Sequence, residues 1–226
     1  MLHPDLQNLR RTFEAEGIDA APVQLDALGR YTELLLDWNA KVNLISRKDE
    51  RDTIRNHVLH SLTLLPALQK YAAQNVLDIG TGGGLPGIPL AIMLPDVGFV
   101  LADSIGKKIA AVEDMIEQLG LSNASAVKAR VGEGNTPLSR KTGQFDTAVT
   151  RAVSKLHDMV RWVLPLMETG GELRLLALKG GDVSQEISRT LTLPSVLGAE
   201  ALAIPFTSEP YFMEQEKCII DVHIQR

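Results

Sequence analysis

The chain has 226 residues, of which 45% are hydrophobic and only 4% aromatic, so its core must rest on Leu, Ile, Val and Ala. Its net charge of −5 excludes a generally basic nucleic-acid coat, although it is compatible with a local basic face. The single cysteine, Cys218, excludes an internal disulfide framework and a cysteine zinc cluster.

The first residues carry no recognisable targeting signal. Met1 to Thr12 lack an apolar segment, and no later run approaches the roughly 20 apolar residues that a bilayer span needs. We therefore expect a cytoplasmic protein that does not enter a membrane.

Apolar residues recur at helical spacing from residue 5 to residue 68, and no convincing strand interrupts them. We predict three helices there, with breaks at Gly17 to Pro22 and at Asn39 to Asp49. The second break is polar and basic, and its charges are more typical of a solvated loop than of a binding surface. Because no linker follows, we expect residues 1–72 to form a helical extension packed on a domain formed by residues 73–226.

His57 and His60 lie three residues apart in the third predicted helix and therefore share a face. A metal shared by the pair is conceivable, but no third ligand accompanies them at a suitable spacing. A hydrogen-bonded histidine in a helix packed against the following domain is the better explanation. We predict no metal site.

From residue 75 onward, strands alternate with helices, which is typical of a doubly wound α/β sheet. Five strands are predicted at 75–79, 98–102, 125–130, 145–150 and 172–178, with helices near 87–94, 105–119 and 154–167. Two further strands, near 197–204 and 217–224, follow prolines and suit an antiparallel hairpin at the sheet edge. The expected α/β fold is Rossmann-like, with a mostly parallel seven-stranded sheet that ends in this hairpin.

The first strand runs into a glycine-rich turn, whose residues 82–87 satisfy the dinucleotide pattern G-x-G-x-x-G by letters alone. In that pattern the first glycine directly follows the strand, and a count from Gly80 places Leu85 at the third glycine. The spacing that fits is Asp78-x-Gly80-x-Gly82-x-Gly84, the pattern of S-adenosylmethionine-dependent methyltransferases. We predict that these glycines bind S-adenosylmethionine, which carries a zwitterionic methionine in place of a pyrophosphate.

Two further strand ends supply candidate cofactor contacts. Asp103 ends the second strand, where an acidic side chain can meet ribose hydroxyls, although it or Ser104 can instead cap the next helix. Val131 follows the third strand and is expected to pack on the adenine ring. Glu133 is either an adenine contact or an exposed loop carboxylate.

Several methyl-transfer mechanisms require residues that this sequence lacks at the expected positions. A cytosine C5 enzyme needs a cysteine nucleophile, and Cys218 lies in the last strand, away from the predicted site. Amino-group enzymes carry an acidic or amide residue with two prolines after the fourth strand, where this chain has Thr150-Arg151-Ala152-Val153. An acceptor that already owns a free lone pair remains, and it needs alignment rather than a general base.

Six groups of residues along the chain support a closer assignment. They are Trp38-Asn39 with Asn43-Leu44-Ile45-Ser46, His57-Val58-Leu59-His60-Ser61-Leu62, Asp78 to Leu90, Asp103-Ser104-Ile105-Gly106-Lys107-Lys108, Phe145-Asp146 with Arg151-Ala152, and Ala177-Leu178-Lys179-Gly180. In this order they resemble the ribosomal small-subunit methyltransferase G family, also called glucose-inhibited division protein B. That family methylates N7 of a guanine in 16S rRNA.

The resemblance implies a cofactor site formed by Gly80, Leu85, the Val131-Gly132 turn and Arg151. Arg151 would orient the methionine carboxylate or a nearby phosphate, and a surface salt bridge with Asp146 is the alternative. We assign positioning roles to Arg151 and Lys179 and name no certain catalytic residue. The basic residues expected to contact RNA are Arg47, Lys48, Arg55, Lys107, Lys108 and Lys179.

Three departures from the family pattern stand in the sequence. Gly132 replaces a glutamate that many members carry, which leaves the adenine contact to backbone atoms or to Glu133. His60 replaces a common aspartate, and the segment from Gly134 to Gly143 is longer than usual.

Guanine N7 suits the missing general base, because it has an in-plane lone pair and no proton. In A-form RNA it lines a groove that side chains cannot read, so the target should be turned out of its stack. The expected partner is 16S rRNA or the small ribosomal subunit, and the expected state is a monomer. A methyltransferase for small molecules or proteins, or a noncatalytic nucleotide-binding protein, remains an alternative.

Overall fold

A computed structural model describes residues 4–134, 136–151 and 154–226. Its strands are β1 Asn75–Ile79, β2 Gly98–Asp103, β3 Ala124–Lys128, β4 Thr147–Arg151, β5 Leu173–Gly180, β6 Val196–Ala203 and β7 Lys217–Ile224. They form one seven-stranded sheet in the order β3-β2-β1-β4-β5-β7-β6. The first five strands are parallel, and β7 runs antiparallel to both β5 and β6. The predicted mostly parallel sheet with an antiparallel edge hairpin is confirmed.

The strand order reverses at β1, which lies between β2 and β4. Ile79 and Thr150 are register partners at the carboxyl ends of β1 and β4, and the Thr150 hydroxyl donates to the Ile79 carbonyl over 3.0 Å. In open parallel sheets, ligands bind in the crevice beyond such a switch point. The fold therefore directs attention to the loops that follow β1 and β4.

Helices cover both faces of the sheet. Those of the described residues are α1 Pro4–Ala15, α2 Pro22–Asn39, α3 His60–Leu62, α4 Leu65–Lys70, α5 Gly87–Met93, α6 Gly106–Leu119, α7 Leu156–Val163, α8 Ser184–Thr190 and α9 Pro210–Glu214. No helix in this part of the chain is long and apolar enough to cross a bilayer. The predicted helix near 154–167 ends earlier, because α7 gives way to a 3-10 turn at Leu164–Leu166.

The N-terminal helices share a hydrophobic core with one face of the sheet. Leu9 of α1 and Leu35 of α2 belong to the same buried cluster as Val76 of β1 and Ile88 of α5. A second cluster, centred on α7, fills the opposite face. Burial of apolar area on both faces is what holds the three layers together. The division of the chain at residue 73 stays a prediction.

The third predicted helix is wrong in detail. The chain forms a 3-10 helix at Arg47–Asp52 and a π-helical turn at Ile54–Leu59 before α3 and α4 begin. The Ser46 side chain accepts a hydrogen bond from the Lys48 amide over 3.3 Å, so a segment predicted as part of a break is capped and wound. The short helices α8 and α9 were not predicted from the sequence. Ala152 and Val153, which follow Arg151 in the sequence motif after the fourth predicted strand, lie outside the described residues.

Candidate active site

A cavity of about 540 Å³ opens at the carboxyl edge of the sheet. It is lined by residues that follow β1, β2, β3 and β4, together with one side chain from the N-terminal region. The predicted cofactor residues on its wall are Gly80, Gly82, Leu85, Asp103, Val131 and Arg151. Leu44, Thr81 and Trp162 also line it, and none of them was predicted as a site residue, although Leu44 and Thr81 lie within the motifs quoted above. The strand ends thus converge on one site, as the topology requires.

Asp78 holds the glycine loop from beneath. It has no exposed surface, and its Oδ2 accepts from the Thr81 hydroxyl over 2.6 Å and from the Gly87 amide over 2.9 Å. A Cβ at Gly87 would lie 2.7 Å from that oxygen, so only glycine allows the contact. Gly80 and Gly82 adopt φ of 67° and 58°, a region that favours glycine.

The back of the loop packs on α2. The buried Tyr31 hydroxyl donates to the Gly83 carbonyl over 2.9 Å. A Cβ at Gly83 would lie 2.7 Å from Leu35 Cδ1 and 3.2 Å from Leu44 Cβ. The N-terminal helices therefore form the rear wall of the loop, and Leu44 reaches past it to the cavity.

Burial raises the pKa of the Asp78 carboxyl from 3.8 to about 7, although its hydrogen bonds from Thr81 and Gly87 favour the carboxylate. Between these two pH values the folded chain binds a proton that the unfolded chain has lost. The contribution of Asp78 to the free energy of unfolding is therefore fully present below the unfolded pKa. As the pH rises from the unfolded pKa toward the folded pKa, this contribution falls by about 1.4 kcal/mol per pH unit.

We expect an Asp78→Asn chain to lose this part of the pH dependence. Denaturant unfolding at several pH values between 4 and 8 measures it, because the side chain of the variant does not titrate. Asp96→Asn, at an exposed position before β2, is the matched control and should keep the wild-type slope. Equal slopes for wild type and Asp78→Asn would show that Asp78 does not titrate in this range.

Asp103 ties the loop to the start of α6. Its Oδ2 accepts from the Gly82 amide over 3.1 Å, and its Oδ1 accepts from the Ile105 amide over 2.8 Å. The capping alternative is wrong, because the N-cap residue of α6 is Ile105 and no side chain caps this helix. Each carboxylate oxygen has a second lone pair, so the same side chain can still accept from a ribose hydroxyl in the cavity.

Val131, which follows β3, and Trp162 of α7 both line the cavity. Gly132 has φ of 92°, and a Cβ there would lie 2.4 Å from Trp162 Cδ1. Gly132 therefore supports the tryptophan from outside the cavity wall. Glu133 is exposed, with Oε1 3.7 Å from Arg130 Nε, and does not line the cavity. The contact between Gly132 and Trp162 joins distant segments, so no local pattern in the sequence indicated it.

Arg151 pairs with a histidine rather than with Asp146. One guanidinium nitrogen lies 2.7 Å from Nδ1 of His57, whereas Asp146 Oδ2 accepts from the amides of Gln74 and Asn75. Because arginine only donates, His57 Nδ1 must be the acceptor. Burial, and then the Arg151 charge, lower the pKa of His57 to about 4, so its ring is neutral at pH 7.

A second cavity, of about 780 Å³, adjoins the first. Arg151 and Ser154 line both, so the two cavities meet at these residues. The second cavity is also lined by Asp49, Asn56, His57, His60, Lys155, Leu178, Lys179, Gly180, Tyr211 and Lys217. His60 stacks on Phe212 with ring centroids 5.4 Å apart, and burial followed by the Arg151 charge lowers the pKa of His60 to about 3. Both histidines are therefore neutral, and the positive charge comes from lysine and arginine.

The cations expected to contact RNA are spread around these cavities. Lys108 lines the first cavity, and Lys179 lines the second, where its ammonium donates to Glu186 over 3.0 Å and to the Ser154 carbonyl over 2.8 Å. Arg55 stacks over Tyr211 at 4.3 Å and lines a separate hollow beside α1. Arg47, Lys48 and Lys107 are exposed and line neither cavity.

The remaining cofactor prediction concerns Gly84, which is buried behind the loop. Its φ is 90°, and a Cβ there would lie 2.4 Å from Ile88 Cδ1. Gly84 therefore shapes the loop without lining the cavity. Within the described ranges, no group of three or more His, Cys, Asp or Glu side chains is placed to hold a metal ion.

The sheet order and the glycine loop at its switch point define a Rossmann-like class I methyltransferase fold. A SAM-dependent methyltransferase from Aquifex aeolicus aligns with a TM-score of 0.52 and 15% identity, covering 72% of this chain and 92% of that one. A geranyl diphosphate methyltransferase solved with sinefungin aligns with a TM-score of 0.55 and 11% identity, covering 91% of this chain and 100% of that one. At these identities, the likeness shows the fold.

The sequence comparisons are more specific. The family model described as rRNA small subunit methyltransferase G matches residues 24–218. The ribosomal RNA small subunit methyltransferase G of Chlorobium luteolum is 42% identical over 218 residues, which cover 93% of this chain and 87% of the relative. The enzyme of the same name from Psychromonas ingrahamii is 33% identical, over 96% of this chain and 97% of the relative. The chain belongs to the rRNA small subunit methyltransferase G family, and the predicted resemblance is confirmed.

Proposed function

We propose that this protein transfers the methyl group of S-adenosylmethionine to N7 of a guanine in 16S rRNA, acting in the cytoplasm as a monomer. Membership of the family supports methylation of ribosomal RNA. The observation that carries the proposal is the meeting of two cavities at Arg151, one walled by the glycine loop and the other by cations. A donor and an acceptor that react in line need two such adjoining spaces.

The first cavity has the features that S-adenosylmethionine requires. The Gly82 backbone lines it, and a Cβ at Gly82 would meet only the Gly80 carbonyl, at 3.9 Å, so a ligand can approach the backbone closely. Asp103 would hold the ribose, while Val131 and Trp162 would enclose the adenine. When bound, S-adenosylmethionine supplies an electrophilic methyl group on a sulfonium centre.

Arg151 and Gly80 also line this cavity. Arg151 would receive the methionine carboxylate, because its guanidinium offers donors beyond the one that His57 occupies. Gly84, Gly132 and Glu133 would act on the cofactor indirectly, through the shape of the loop and of the turn after β3.

The chain's contribution to the reaction would be binding and alignment. Guanine N7 has a lone pair and no proton, so no side chain has to act as a base. His57 and His60 are neutral, and His57 already accepts from Arg151. The cations of the second cavity would hold RNA phosphates around a base that has left its stack.

The direct test is removal of the gene. We expect 16S rRNA from the deletion strain to lack one 7-methylguanosine, measured by nucleoside mass spectrometry and by chemical cleavage at the modified base. A plasmid copy of the wild-type gene should restore the modification. An unchanged modification profile in the deletion strain would refute the proposed function.

A further inference from the structure

The wall of the second cavity is cationic except at one point. Arg151, Lys155, Lys179 and Lys217 line it, and Asp49 supplies the one carboxylate among its described lining residues. Lys179 is paired with Glu186 over 3.0 Å. In the described ranges, Lys155 and Lys217 make no ion pair. Two ammonium groups are therefore available for phosphates, and one carboxylate stands among them.

The Asp49 carboxylate is held in place from one side. Its Oδ1 accepts from the Asn56 side-chain amide over 3.3 Å, and its backbone amide donates to the Ser46 carbonyl over 2.9 Å. Its Oδ2 lies 3.8 Å from Nε2 of His57, which is too far for a hydrogen bond. The side chain is 38% exposed, so a partly unsatisfied carboxylate is presented at the cavity wall.

A carboxylate in a cavity that otherwise suits phosphates selects among the bases. Guanine presents two donors side by side, N1–H and the exocyclic amine, which match the two acceptor oxygens of an ionised aspartate. Adenine presents an unprotonated N1 at the same edge and would be repelled. In guanine this edge lies opposite to N7, so an aspartate that binds it leaves N7 free to react.

We propose that Asp49 accepts hydrogen bonds from N1–H and the exocyclic amine of the target guanine and thereby makes the enzyme specific for guanine. The inference rests on the proposed function and names the residue that recognises its substrate. Tyr211, whose ring also lines this cavity and is stacked under Arg55 at 4.3 Å, offers an aromatic surface next to the base.

The test compares two RNA substrates. Both are 16S rRNA, assayed free and assembled into the small ribosomal subunit. One carries the guanosine that the wild-type enzyme methylates, and the other carries inosine there, which keeps N7 and N1–H but lacks the exocyclic amine. We expect the wild-type enzyme to methylate the guanosine substrate roughly 10- to 100-fold faster, the range expected for one charge-assisted hydrogen bond. Asp49→Asn should lower the rate on guanosine and erase most of this preference.

Asp52→Asn is the matched control, three residues further along the same 3-10 helix. The Asp52 carboxylate pairs with Arg55 over 3.2 Å and does not line the second cavity. The Asp52→Asn enzyme should therefore keep the wild-type preference for guanosine over inosine. Cofactor binding by calorimetry and thermal unfolding show whether each variant is folded.

The outcomes separate the two claims. Equal wild-type rates on guanosine and inosine would overturn the role of Asp49 without any use of the variant. An Asp49→Asn enzyme that is slower on both substrates by the same factor would also overturn it, because Asp49 would then only support His57 and Asn56. No methylation of either RNA by the wild-type enzyme, both free and assembled into the small ribosomal subunit, would instead contradict the proposed function, on which this inference rests.

Discussion

Replacement of Arg151 by alanine is expected to lower methyl transfer at least roughly 100-fold while the fold is retained. Arg151 lines both cavities and is the charged group that they share. A single hydrogen bond to a charged group contributes about 1.5–3 kcal/mol, and under the proposed function this guanidinium would bind both the cofactor and the RNA. Methylation of 16S rRNA with labelled cofactor measures the loss.

The fold should survive Arg151→Ala, because the side chain that loses its partner is a neutral histidine. Removal of the guanidinium leaves His57 Nδ1 without its 2.7 Å contact, which costs about 1–3 kcal/mol, but it also removes a largely buried charge. Arg161→Ala, at an exposed position on α7, is the matched control and should keep full activity. Arg151→Lys should recover only part of the activity, because an ammonium lacks the planar fork. Normal turnover by Arg151→Ala would remove this residue from the site.

Replacement of Gly84 by alanine is expected to lower the free energy of unfolding by roughly 2–5 kcal/mol, the sum of backbone strain and overpacking. The residue has φ of 90°, and an added Cβ would lie 2.4 Å from Cδ1 and 2.8 Å from Cγ1 of Ile88. Ile88 is fully buried in α5 and has little room to move. Denaturant unfolding gives the magnitude.

Gly120→Ala separates the cost of backbone strain from the cost of overpacking. Gly120 ends α6 with φ of 65°, and no atom lies within 4 Å of its added Cβ, so this variant carries backbone strain without overpacking. It should lose about 1–2 kcal/mol and keep its activity. If both variants were equally stable, the packing of Ile88 against Gly84 would not constrain the loop.

Local sequence patterns sufficed for the parallel half of the fold. The predicted ranges for β1 and β2 match the observed strands to within one residue, because short apolar runs between turn residues leave little choice of boundary. The glycine loop was also predictable, since the spacing from Asp78 is set by the geometry of one turn. The polar segment at Arg47–Asp52 was not, because its 3-10 winding depends on caps rather than on apolar periodicity.

Contacts between distant segments limited the prediction of the site. Arg151 and His57 are 94 residues apart, and the sequence offered Asp146 as a nearer partner. Lys179 pairs with Glu186 on α8, a helix too short to show a periodic pattern. Trp162 reaches the first cavity only because Gly132 leaves space for it. In each case the deciding contact is tertiary, and no local pattern encodes it.

The hydrogen bond from Tyr31 to the Gly83 carbonyl has a thermodynamic consequence. Because α2 forms the back of the loop, a ligand that binds the intact loop more tightly than a loosened one must stabilise α2 by the same free energy. Affinity for the cofactor and local opening of the N-terminal helices are then two measurements of one coupled equilibrium. Substitutions at residues of α2 that do not contact the ligand can therefore change the affinity of the loop for that ligand.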